Sequence, residues 1–146
     1  MVYLSLLALT CFIVSIFDVK NRRIKNKLLF GLLAIQLVCL GFENTHVDSM
    51  LVVLFIGLII FRFGWIAAGD VKYAGVLSLS IPMAMLYEAV LFTAYSGGVL
   101  VLFYYVKHRM TPGSQIQDVT LPYGVAISVG FFLTIASHQL QSQQLL

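Results

Sequence analysis

The chain has 146 residues, 60% of them hydrophobic and 10% charged, with a formal net charge of +3. A soluble domain of this size carries about a quarter charged residues, so the composition excludes a water-soluble fold, and with it nucleic-acid readers, nucleotide-binding folds and disulfide scaffolds. At about 20 apolar residues per bilayer-crossing helix, six spans use about 120 positions and leave roughly 26 for loops and termini, too few for a sizeable soluble domain.

The first span runs from Val2 to Phe17 and is ended by the polar run Asp18 to Lys27. It has no basic stretch before it and no small-residue cleavage site after it, which predicts a retained span rather than a removable signal. Cys11, here, and Cys39, in the next run, lack both CxxC and metal-ligand spacing and read as two packed thiols. The second span is Leu28 to Phe42, followed by the polar turn Glu43 to Ser49, and the third is Met50 to Phe63. The segment Gly64-Trp65-Ile66-Ala67-Ala68-Gly69 then leads to a fourth helix opening at Asp70. Pro82 lacks an amide hydrogen and fits the first turn of a new helix capped by Ser80. The fourth helix then covers only Asp70 to Leu79 and the fifth runs to about Val106; the alternative is one helix kinked through Pro82. Within the fifth, Gly97-Gly98 predicts a close helix approach. The last span is Tyr123 to Ser137, before a Gln-rich tail.

Alternating through six spans puts loops 18–27, 64–72 and 107–121 on one face. Those loops and their edges hold Lys20, Arg22, Arg23, Lys25, Lys27, Arg62, Lys72, Lys107 and Arg109, which are all nine lysines and arginines. By the positive-inside rule that face is cytoplasmic. The expected fold is all-α: one polytopic membrane domain over residues 1–146, six transmembrane helices, both termini outside. The basic side chains read first as topology determinants and lipid-headgroup contacts. Trp65, Tyr104, Tyr105 and Tyr123 read as interfacial aromatics, and Glu88 as a snorkelling or hydrogen-bonded acid near the outer face.

Two acidic residues close or open spans on the basic face. Asp18 begins D-x-x-x-R-x-I-x-N with Arg22, Ile24 and Asn26, and Asp70 lies in A-A-G-D-V-K with Gly69 and Lys72. Taken singly, these are a solvated helix end and an N-cap. Taken together, and in this order, they resemble the type IV prepilin peptidase family, six-span aspartic proteases whose two catalytic aspartates stand in D-x-x-x-R-x-I-x-N and G-x-G-D-x-K. Ala67 stands where the second motif has its first glycine. The run Leu121-Pro122-Tyr123-Gly124-Val125-Ala126-Ile127 is similar to the opening of the last helix in small Tad/Flp-type members. The resemblance implies catalytic Asp18 and Asp70, with Arg22, Asn26, Gly69, Lys72, Pro122, Tyr123 and Gly124 in support. It also implies a prepilin or pseudopilin substrate cut at the cytoplasmic face of the inner membrane, and no cofactor. The insertion with paired CxxC motifs that larger members use for methylation is missing here, so only peptidase activity is implied.

Metal-free peptide hydrolysis needs one group to deprotonate water and another to protonate the carbonyl oxygen. Two aspartates about 3 Å apart cannot both ionise and so share a proton. Asp18 at the negative end of its helix reads as the acid, and Asp70 at a helix start as the base. Lys72 reads either as an interface charge or as a neighbour tuning Asp70. A serine-protease reading of Tyr95-Ser96-Gly97-Gly98 lacks a histidine at matching depth, and no HExxH or other zinc spacing occurs. The rival reading is a small proton-coupled transporter with Asp18 or Asp70 as its proton site.

Overall fold

A computed structural model describes residues 2–21, 24–110 and 121–144. Six α-helices follow one another: α1 (Val2–Asn21), α2 (Asn26–Leu40), α3 (Val47–Arg62), α4 (Ala68–Ser78), α5 (Leu86–Met110) and α6 (Tyr123–Gln144). Short 3-10 turns occupy Phe42–Asn44 and Met83–Met85, and no strand occurs among the described residues. Among the described residues three helical segments, Val2–Asn21, Met83–Lys107 and Tyr123–Gln141, are long and apolar enough to cross a membrane. At 1.5 Å per residue α2 and α3 are about 23 Å long and α4 only about 16 Å.

The helices form two layers of unequal burial. α1, α2, α4 and α6 pack together in the middle, while α3 leans on α4 and α5 leans on α6. The burial pattern follows helical periodicity. On α1 the buried residues are Tyr3, Leu7, Cys11, Val14 and Asp18, a single stripe spaced by three or four positions. They meet Leu29 and Leu32 of α2, Tyr73 and Leu77 of α4, and Ile127, Phe131 and Ile135 of α6. The outside is coated with exposed apolar side chains such as Phe12, Phe30, Phe55, Tyr87, Val99 and Phe103. A surface of that kind is stable against lipid tails and not against water.

Small residues set the tightest crossings. A Cβ on Gly75 would press on Leu54, one on Gly57 on Val71, and one on Gly130 on the backbone of Thr93. Thr93 backbone atoms cannot move aside as a side-chain tip would, so Gly130→Ala must push α5 off α6. The expected cost is about 1–3 kcal/mol, measurable as a lowered melting temperature of the detergent-solubilised protein. Gly97, by contrast, has only ordinary contact with Ala126, at 3.8 Å for an added Cβ, and Gly98 has open space. The close approach read at Gly97-Gly98 therefore lies at Gly130, on the facing helix.

At the end away from Asp18, the segment after α2 caps α4: the His46 N–H donates to the Leu79 carbonyl at 2.8 Å. Pro82 is extended and precedes the Met83–Met85 turn, so α4 and α5 are separate helices. Ser80 does not cap α5; its hydroxyl is paired with Tyr3 Oη at 2.6 Å. The other ends also move: α1 continues past Phe17 through Asp18 to Asn21, and α6 runs on past Ser137 to Gln144. Both cysteines are free, Cys11 buried as expected but Cys39 exposed.

Candidate active site

Asp18 is the last member of the buried α1 stripe and is only 6% exposed. What it faces is the start of α6. The Gly124 N–H donates to Asp18 Oδ2 at 2.8 Å. A Cβ on Gly124 would stand 2.8 Å from that same oxygen and 3.0 Å from Asp18 Cγ. Only a residue without a side chain lets the backbone come this close. Pro122 accepts the first bond of the α6 turn from Val125 N–H at 3.2 Å and is fully buried, which fixes the approach angle of the helix.

Asp70 comes from α4 and is 7% exposed. The helix N-cap is Ala67, so Asp70 stands three positions inside the helix and not at the cap. From there its carboxyl is hydrogen-bonded by the backbone of Ala67, the reach-back half of a capping box. The α3–α4 register gives its depth. Val71 lies against Gly57, and α3 continues beyond Gly57 to Arg62, which places Asp70 about 7 Å inside the end of α3. The connecting loop is at the surface, with Phe63 and Trp65 exposed, while the helix it feeds starts below it.

Asp18 and Asp70 are both buried. They lie at the same end of the bundle, where α1, α3 and α5 finish and α2, α4 and α6 begin. Every described lysine and arginine (Lys20, Lys25, Lys27, Arg62, Lys72, Lys107 and Arg109) lies at that end and is exposed. The described acids outside the pair, Glu43, Asp48 and Glu88, lie at the other.

This geometry revises the electrostatic argument from single helices. Asp18 does end α1, but it also sits on the first turn of α6, whose exposed N–H groups carry partial positive charge. The Gly124 N–H, 2.8 Å from Oδ2, favours a carboxylate anion there.

The supporting residues separate into two groups. Gly124 touches Asp18, and Pro122 sets its turn. Gly69 is half-buried in the first turn of α4, where an added Cβ would have ordinary contact with Ile24 at 3.6 Å. Tyr123 is 43% exposed. Asn26 and Lys72 are exposed and line a separate apolar cleft of about 270 Å³ with Leu29, Phe30, Leu33 and Val76. Helical spacing puts Lys72 about 200° round α4 from Asp70. Arg22 lies outside the described residues. Lys25 Nζ, at the N-cap of α2, lies 4.9 Å over the Phe17 ring of α1. Among the described residues no three His, Cys, Asp or Glu side chains converge as metal ligands would.

Three buried or half-buried hydroxyls that the motifs do not include, Ser15, Tyr73 and Ser128, come together one turn deeper on the same three helices. Their signal was present as spacing alone: each stands three or four positions from Asp18, Asp70 or Gly124.

The sequence model of the type IV leader peptidase family matches residues 5–102, a stretch that includes both aspartates. No curated protein and no solved structure matches the chain significantly.

Proposed function

The chain belongs to the type IV leader peptidase family, and from that premise we propose that it is a membrane-embedded aspartic endopeptidase cutting the leader from prepilin-like substrates. The observation that supports the reading is two buried carboxyls, Asp18 of α1 with the Gly124 N–H on it and Asp70 of α4, at the basic end of an apolar bundle. Asp18 acts as the base and Asp70 carries the shared proton. Water loses a proton to Asp18 as it attacks the scissile carbonyl carbon, while Asp70 protonates the carbonyl oxygen. On collapse the proton on Asp18 passes to the leaving amine, and Asp70 recovers one from a hydroxyl of the tetrahedral intermediate. The pair returns to its starting state with one proton between them.

The proposed topology has six spans in the inner membrane, both termini outside, and the aspartates facing the cytoplasm. Clustering of the basic side chains at the site's end supports that orientation. The shorter helices α2 and α3 borrow flanking residues, and anionic lipids gathered by the basic rim attract a basic leader to it.

A cysteine scan tests the orientation. With Cys11 and Cys39 replaced by Ser, Ala68→Cys is expected to react with a membrane-impermeant maleimide only from the cytoplasmic side. Asn44→Cys is expected to react only from the opposite side. Labelling of both from one side overturns the topology. Activity is tested by co-expression with a prepilin-like protein, where a size shift of the substrate is the expected result.

A further inference from the structure

The hydroxyl layer beneath the aspartates ties the three helices of the site together through one oxygen. Ser128 Oγ stands 2.8 Å from Tyr73 Oη on α4, receives Ser15 Oγ of α1 at 3.1 Å, and donates to the Gly124 carbonyl of α6 at 2.7 Å. Tyr73 is fully buried and Ser128 is 4% exposed. A hydroxyl has one proton to give, and the Gly124 carbonyl at 2.7 Å is a nearer acceptor for Ser128 than the Cys11 carbonyl at 3.4 Å. With its proton on Gly124, Ser128 accepts from Tyr73. Ser15 also bonds the Cys11 carbonyl at 2.8 Å, so its proton is divided between two acceptors. The ordered chain is therefore Tyr73 to Ser128 to Gly124.

Gly124 is the junction. Its carbonyl takes the proton of Ser128, and its N–H is the group on Asp18 Oδ2. A serine bonding back one turn is common in apolar helices and by itself does little. Here the same oxygen is held by a buried tyrosine from the helix that bears Asp70, so a shift of α4 relative to α6 reaches the N–H on Asp18. We propose that Ser128 and Tyr73 are positioning residues that hold the first turn of α6 so that Gly124 keeps its hydrogen bond to Asp18. They act through Gly124 and touch neither water nor peptide. The proposal rests on the reading of Asp18 and Asp70 as the catalytic pair.

The test uses the full chain in detergent or proteoliposomes with a leader-bearing substrate, and the variants Ser128→Ala, Tyr73→Phe and Ser128→Thr. Two readouts are taken: steady-state cleavage, and deuterium uptake at residues 121–128 compared with 131–135. Ser128→Ala and Tyr73→Phe are expected to lower kcat about tenfold with KM within about twofold. They also speed exchange at 121–128 while leaving 131–135 unchanged, and Ser128→Thr, which keeps the hydroxyl, restores both. Wild-type kcat in both deletion variants, or unchanged exchange at Gly124, overturns the proposal. So does faster exchange throughout α6 that Ser128→Thr fails to repair, since that marks a purely structural role. A wild-type chain that leaves the substrate uncut overturns the peptidase reading instead, and the exchange data still decide whether the clamp exists.

Discussion

Replacing either Asp18 or Asp70 by Asn is expected to lower leader cleavage by about 10³-fold or more, the scale of losing general acid–base catalysis, with the fold intact. The substitution is nearly isosteric, and a side-chain amide oxygen at position 18 still accepts the Gly124 N–H, so the start of α6 stays seated. On the proposed mechanism what disappears is the shared proton, and the two carboxyls act as a unit, so the double variant is expected to be about as inactive as either single one. Cleavage assays on the three variants, with melting temperatures alongside, check this; multiplying losses would mean that the aspartates work independently. The same measurements address the transporter alternative, in which uptake driven by membrane potential, and no cleavage, depends on one of the two sites.

Gly124→Ala is expected to cost about 10²-fold in kcat, the scale of a misplacement near one ångström. The added Cβ would lie 2.8 Å from Asp18 Oδ2 and 3.2 Å from its Cβ, so α6 must withdraw and the N–H leaves the carboxylate. Gly97→Ala is the matched control. It makes the same chemical change one helix away, where the nearest atom is 3.8 Å off, and is expected to cleave at the wild-type rate. Equal activity of the two variants would remove Gly124 from the site.

The helical architecture and the two acids were legible because they are written in periodicity and local pattern. The α1 stripe from Tyr3 through Val14 carries its spacing on to Asp18, so the carboxyl falls where the next core residue belongs. The order of the motifs, and the gathering of basic residues at one end, could likewise be read along the chain. The contact between Asp18 and α6 could not. It joins positions 106 apart and depends on Gly124 having no Cβ, a property that looks like any other glycine in an apolar run. That contact is also why Asp18 is proposed as the base, because a dipole argument built on α1 alone omits the helix that packs against its end. The hydroxyl layer escaped notice for a related reason. Ser15, Tyr73 and Ser128 are unremarkable until three helices bring them to one oxygen.

The shortness of α4 has a consequence for the surrounding lipid. On the proposed topology a helix of about 16 Å stands where the hydrocarbon is about 30 Å deep, so the bilayer beside α3 and α4 must thin or admit water to meet it. Hydrophobic mismatch is then concentrated at the one helix that bears Asp70. On that topology the peptide bond to be hydrolysed need not be dragged out of the membrane, because the aqueous boundary is drawn down to it.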